Sequence, residues 1–202
     1  MEGNGDKWVG RVHAVVEAPL ESVWALASDS CGIPKWMPMV EECSLMQGEL
    51  GMPGLVRYLR GTMFPHPSGE KSWIQERLLL MDPLHYKYAY CMEDGNVGLS
   101  GYINTVQFSD FGESTTLVQW DYEVDPVIGS EQEAILDYLA VLYKSSLKRL
   151  EYVAQLPSQN LETAYLKAKD VSSSGELSVN PQCSTVISHS EDLKTLVEDS
   201  PL

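Results

Sequence analysis

Apolar and polar residues alternate through most of the first 125 positions, in short runs broken by Gly- and Pro-containing turns. Trp8 to Glu17 sets the pattern, with Val12, Ala14 and Val16 on one face, the period of two expected of a half-buried strand. Pro19 then opens a short helix running to Ala27, using the preference of proline for a helix start. The segment Cys31-Gly-Ile-Pro-Lys-Trp-Met-Pro38 holds only a short helix or turn, because its glycine and prolines interrupt any longer one. Strands are predicted at Val40 to Gly48, Gly54 to Thr62, Lys71 to Met81, His85 to Met92, Leu99 to Ser109 and Thr115 to Asp125. Turn signals at Asp82-Pro83, Asp94-Gly95 and Phe111-Gly112 make neighbouring strands antiparallel. The period then changes: Ile135, Leu139, Leu142, Ser146, Leu150 and Val153 recur at three- and four-residue steps, an amphipathic helix from near Ser130 to about Gln155. Ser130-Glu-Gln-Glu133 reads as its capping box. Seven strands and one long helix on one face give an α+β architecture.

Two of the strands carry a charge on their apolar face. Leu55, Arg57 and Leu59 look one way, and Ile74, Glu76, Leu78 and Leu80 share one side of the next strand. An unpaired charge in an apolar interior costs several kcal/mol at least. Arg57 and Glu76 must therefore meet each other, water or a ligand. A structural ion pair and a functional pair in a cavity both satisfy that demand.

The same alternation places Tyr86, Tyr88 and Tyr90 on one face, then Tyr102, Asn104, Val106 and Phe108, then Val118, Trp120, Tyr122 and Val124. Each buried phenol needs a hydrogen-bond partner, and so many of them beside a charge pair fit a wet, enclosed pocket better than a dry core. Packed core with hydroxyls reaching the surface is the competing arrangement. The loop Thr62 to Glu70, with two prolines and a glycine, suits either a lid over the pocket, with His66 as a contact, or a plain hairpin connection.

Composition narrows the partners. The 202 residues are 44% hydrophobic, enough for one domain with a substantial core. A net charge of -15 repels phosphate backbones and anionic headgroups, so neither nucleic acid nor a membrane surface is an expected partner. From residue 158 the chain turns Ser-rich, with seven acidic residues against three lysines, and reads as a disordered acidic tail, 158–202, behind a folded domain, 1–157. Cys31, Cys43, Cys91 and Cys183 show no metal-ligand spacing and read as small hydrophobes plus a tail thiol, and His13, His66, His85 and His189 form no metal set. No metal and no cofactor are expected. The N-terminus lacks a secretory signal and no run approaches the ~20 apolar residues of a membrane span, which makes a cytoplasmic setting the expectation. Oligomeric state is not legible.

Several of these segments together carry a resemblance. Lys7-Trp-Val-Gly-Arg-Val-His-Ala14 with Val23-Trp24, Val56-Arg-Tyr-Leu-Arg-Gly-Thr-Met63 with Pro65, Trp73-Ile-Gln-Glu-Arg-Leu78, and Tyr88-Ala-Tyr90 with Gly101-Tyr102 resemble the plant lachrymatory-factor synthase branch of the polyketide cyclase/dehydrase and lipid transport family, over about residues 7 to 155. The resemblance implies a helix-grip fold of the START and Bet v 1-like kind: a curved seven-stranded antiparallel sheet around a long C-terminal helix, with two short helices, enclosing a hydrophobic cavity. It implies a catalytic role for Arg57 and Glu76, pocket tyrosines at Tyr90 and Tyr102, and a pocket tryptophan at Trp120. A tryptophan of the family's long helix aligns with Leu142. The gate and latch sequences of the related abscisic-acid receptors are absent, with Gly61-Thr-Met-Phe-Pro65 and Gly95-Asn-Val-Gly98 in those regions.

The candidate site is thus Arg57 and Glu76 as the catalytic pair, with Tyr88, Tyr90, Tyr102, Trp120 and Leu142 around a small hydrophobic molecule. The first functional expectation is a cofactor-free isomerase or cyclase moving a proton within one substrate, by resemblance a sulfenic acid becoming a thial S-oxide. The second is non-catalytic binding or transport of a lipid, hormone or secondary metabolite in the same cavity.

Overall fold

A computed structural model describes residues 6–65 and 68–156. His66, Cys183, His189 and the acidic tail lie outside the described residues. Seven strands form one antiparallel sheet: β1 (Trp8–Val16), β2 (Val40–Gln47), β3 (Val56–Gly61), β4 (Ser72–Asp82), β5 (Lys87–Gly95), β6 (Ile103–Gly112) and β7 (Thr115–Val124). Their order is β1-β7-β6-β5-β4-β3-β2. Strands β2 to β7 are a meander that walks across the sheet until β7 reaches β1. The segment between β1 and β2 must therefore span from one sheet edge to the other, and it does so through α1 (Leu20–Ala27) and a 3₁₀ turn (Ile33–Lys35). The long helix α2 (Gln132–Ala154) follows β7. Among the described residues no helix is long and apolar enough to cross a membrane.

The periodicity of α2 places Ile135, Leu139, Leu142, Ser146, Leu150 and Val153 inward, and all six are buried, together with Tyr143 and Leu147. They pack against inward residues of the sheet such as Val12, Val106, Val118 and Val124, each no more than 2% exposed; burying side chains of this size contributes ~1.5–3 kcal/mol apiece. Trp24 of α1 wedges between Tyr86, Tyr88 and Phe108, at ring separations of 5.6, 6.2 and 5.8 Å. One end of the sheet is thereby filled. Thr116 Oγ1 donates to Ala18 O (2.8 Å) and Tyr122 Oη to Leu136 O (3.0 Å), fixing α1 and α2 to β7.

Four expectations need correction. The helix start is one: Glu131, in extended backbone, is the N-cap of α2, with no side-chain capping bond. Ser130 lies one residue too early, because the first helical bond runs from Ile135 N to Glu131 O. Asp94-Gly95 is not the β5–β6 turn, since Gly95 still pairs with Ile74 and Asn96 Oδ1 accepts from Trp73 N at 2.7 Å. The β5–β6 connection instead occupies residues 96–102, and β6 starts at Ile103 rather than Leu99. Leu80 is 39% exposed: a register shift between Leu78 and Leu80 takes it off the inner face. β5 starts at Lys87 rather than His85, so Tyr86, at φ 50° and half-buried, precedes the strand, although its ring still packs on Trp24 beside Tyr88.

The β2–β3 pair closes tightly at Gly61. A Cβ there would sit 2.0 Å from Met39 O, against backbone that has no rotamer to yield. Gly61→Ala should destabilise the domain by about 2 kcal/mol, read as a melting temperature lowered by roughly 4–8 °C; an unchanged melting curve would show that this edge relaxes freely.

Candidate functional site

Arg57 and Glu76 are direct cross-strand partners on β3 and β4, which is why alternation puts both on the same face. Their side chains are only 7% and 6% exposed. Arg57 Nε (3.0 Å) and Nη2 (2.7 Å) both donate to Glu76 Oε2, while Nη1 donates to Ser30 O at 2.8 Å. The guanidinium carbon lies over the Tyr90 ring, 3.8 Å from its centroid. A buried ion pair has to recover the desolvation of both groups; here two charge-assisted bonds, a carbonyl and a cation–π face do so. Burial is the largest single influence and opposes the charged guanidinium, but the Glu76 carboxylate, with smaller help from Tyr90 and Cys43, more than offsets it, and Arg57 is held firmly cationic.

Ser30 is presented to Arg57 by a local turn. Asp29 Oδ1 accepts from Cys31 N (3.3 Å) and Gly32 N (3.0 Å), and Asp29 Oδ2 meets Lys35 Nζ at 3.0 Å. A Cβ at Gly32 would lie 2.2 Å from that carboxylate, so glycine is what lets the turn close. The Cys43 thiol also donates to Ser30 O, at 3.7 Å. Burial, only partly offset by Arg57, pushes Cys43 up to about 12, which leaves a neutral thiol and no nucleophile beside the pair. Cys31, Cys43 and Cys91 are free and half-buried. Among the described residues no group of three or more His, Cys, Asp or Glu stands close enough to hold a metal.

Above the pair lies a cavity of ≈ 40 Å³, room for a few waters or a comparably small organic molecule. Arg57, Glu76, Tyr88, Tyr102, Trp120 and Leu142 all line it. Tyr90 does not; it lies behind Arg57 and supports the guanidinium. Further wall comes from residues that alternation did not single out. The 3₁₀ turn supplies Ile33 and the residues just after it Trp36 and Met37, the β3–β4 loop Met63 and Phe64, the β5–β6 connection Val97 and Leu99, and α2 Leu139 and Tyr143. Tyr143 carried a legible signal, standing four residues after Leu139 and three before Ser146. The loop residues carried none, because a side chain in a Gly/Pro-rich connection has no periodic direction. The start of the β3–β4 loop is tied to α2 by Tyr138 Oη donating to Met63 O at 2.6 Å.

The polar groups of this wall are unevenly satisfied. Glu76 Oε2 accepts two bonds, whereas Oε1 accepts none among the described residues and is not walled off. Tyr102 and Tyr143 hydroxyls bond each other, and Tyr143 stacks on Trp120 at 4.2 Å. Burial raises Tyr88, Tyr102 and Tyr143 alike, so all three are neutral phenols. The indole N–H groups of Trp36 and Trp120 are buried without an acceptor, a state that costs ~1–3 kcal/mol each.

Comparison with known proteins agrees with this architecture. Residues 8–155 match the family described as polyketide cyclase / dehydrase and lipid transport. Among solved structures, the protein XoxI from Bacillus cereus is 26% identical, covering 71% of this chain and 93% of its own, with a TM-score of 0.61. An uncharacterized protein from Bacillus thuringiensis is 25% identical over 72% of this chain and 98% of its own, TM-score 0.60. A START superfamily protein from Mycobacterium smegmatis shares the fold at 15% identity, over 73% of this chain and 97% of its own, TM-score 0.62. Since the seven strands, the long helix and the cavity between them all fall within the matched residues, the chain belongs to the polyketide cyclase / dehydrase and lipid transport family.

Proposed function

We propose that the chain is a cofactor-free isomerase that moves a proton within one small, mostly apolar substrate, with Arg57 and Glu76 as its catalytic residues. The observation that carries this reading is the division of labour within one carboxylate: Oε2 is anchored twice by Arg57, and Oε1 is left unbonded in the cavity. A carboxylate held at one oxygen and free at the other is oriented as a proton carrier. Arg57 has five N–H groups and donates three bonds within the protein, so two remain to steady an oxygen on which charge develops.

Resemblance to lachrymatory-factor synthases supplies the reaction type. In an alkenyl sulfenic acid, Glu76 Oε1 takes the O–H proton as Arg57 receives the developing oxyanion. The C=C electrons then take the proton at the carbon farther from sulfur while a C=S bond forms, which yields a thial S-oxide. No electrons enter or leave and no second reactant is used. Tyr88, Tyr102, Trp120 and Leu142 would enclose the substrate, and Tyr90 would act through Arg57.

Carriage of a hydrophobic molecule without turnover is the rival, and the size of the cavity weighs against a lipid-sized cargo. Sulfenic acids generated in situ test both. Wild type should convert them, and Glu76→Gln should lose ~10²- to 10⁴-fold in rate while retaining native circular dichroism. Absence of wild-type turnover, with product-like ligands bound equally by both proteins, would establish carriage instead.

Stability should separate the same substitutions. Glu76→Ala strips Arg57 of its charged partner and should cost about 3–5 kcal/mol in urea unfolding. Glu76→Gln retains an oxygen for the guanidinium and should cost clearly less; equal losses would mean that the charge of Glu76 contributes nothing to the fold.

A further inference from the structure

The cavity has a second polar pole that proton transfer at Glu76 leaves unused. Asn104, on β6, is 5% exposed and lines the cavity. Its side-chain amide has no hydrogen bond to any protein group among the described residues. Nor are its atoms sealed in, because the sealed and unpartnered side-chain atoms are Ser30 Oγ, Trp36 Nε1 and Trp120 Nε1. The amide therefore opens onto the cavity, offering two N–H donors and a carbonyl acceptor. Two residues earlier on the chain, Tyr102 shares a hydrogen bond with Tyr143. Two hydroxyls hold two protons, and a single mutual bond uses one. The other O–H is left to donate.

Buried polar groups without partners destabilise a fold unless something in the site satisfies them. A leucine at position 104 would close the same wall without that cost, so a hydrophobic cavity alone does not account for an asparagine there. Register sets the distance to the first pole. Leu78 pairs with Tyr90 and Tyr90 with Asn104, whereas Glu76 pairs with Met92, so Asn104 stands two strand spacings across and two residues along from Glu76, roughly 12 Å backbone to backbone. With side chains reaching in from both strands, a ligand only a few bonds long touches Glu76 and Asn104 together, which agrees with a cavity of ≈ 40 Å³. The Arg57–Glu76 pair is neutral as a unit, and an anionic ligand would face the free Glu76 oxygen. The ligand is thus neutral.

We infer that this cavity takes a small neutral molecule with two hydrogen-bonding oxygens, one held at Arg57 and Glu76 and the other, a hydroxyl or carbonyl, held by Asn104 and the free phenol proton of the Tyr102–Tyr143 pair. The assignment of the first oxygen rests on the proposed proton transfer; that of the second does not. It makes the substrate class a short hydroxycarbonyl or its sulfur counterpart, in place of a plain alkyl or alkenyl chain.

Matched probes test it, each pair equal in heavy atoms and differing by hydroxyl against methyl: hydroxyacetone with 2-butanone, and 4-hydroxy-2-butanone with 2-pentanone. In amide-detected NMR titrations of the full chain, at least one hydroxyl compound should bind ~10-fold or more tightly than its methyl partner. That preference should vanish in Asn104→Leu and persist in Glu76→Gln. Equal or weaker binding of both hydroxyl compounds by wild type, no binding of any probe, or a preference that survives Asn104→Leu would overturn the inference; the wild-type comparison decides even if the variant does not fold. Exchange of the protons next to the carbonyl in D₂O reports separately on Glu76. A hydroxyl preference without wild-type exchange would sink the proton-transfer reading and leave the second pole standing, whereas exchange without the preference would do the reverse.

Discussion

One cross-strand contact organises this protein: a guanidinium and a carboxylate, opposite each other on β3 and β4, turned inward and almost wholly buried. Each group alone would be prohibitive in that position. Together, with the Ser30 carbonyl on one side and the Tyr90 ring beneath, they make a neutral, rigid unit. The surroundings follow from that requirement. The turn at Asp29 and Gly32 exists in the form needed to deliver one carbonyl oxygen, and Tyr90 gives up a place in the cavity wall to serve as a floor for Arg57.

The topology explains why such a unit has space above it. A meander that returns to its own first strand curves around α2, and the link from β1 to β2 must cross from one sheet edge to the other. Trp24 fills one end of the resulting trough by stacking among three aromatic rings. At the other end, the wall is built from the 3₁₀ turn and two loops. Side chains from irregular backbone do not interdigitate layer by layer as those of strands and helices do. The hollow remains at that less regular end, where the charged pair also lies.

This division is also the limit of what the amino-acid pattern revealed. Period-two alternation is a geometric fact about strands, so Arg57, Glu76, Tyr88, Tyr102 and Trp120 could be placed inward before any coordinates, and they line the cavity. Alternation says which face a residue takes and not how deep it sits, which is why Tyr90 shared the inward face yet ended behind Arg57. It fails wherever the ladder slips: the shift after Leu78 turned Leu80 outward, and the extra pairing at Gly95 moved the β5–β6 connection. Trp36, Val97 and Phe64 were illegible because turns have no period. Tyr143 lay within reach of the helical pattern beside Leu142, but Leu142 filled the expected place and drew attention from its neighbour.

What distinguishes this cavity from a packed core is the unused bonding capacity of its wall. A packed core leaves almost none. Here one carboxylate oxygen, one amide and one phenol proton face the hollow, and two indole N–H groups of the same wall are buried without acceptors. Apolar cargo would satisfy none of the three groups that face the hollow, and water would satisfy those three without specificity. A small oxygenated molecule satisfies several at once, and the free carboxylate oxygen is the member of the set that can also take and return a proton. On the proposed reading, the unsatisfied groups select the ligand and Glu76 acts on it.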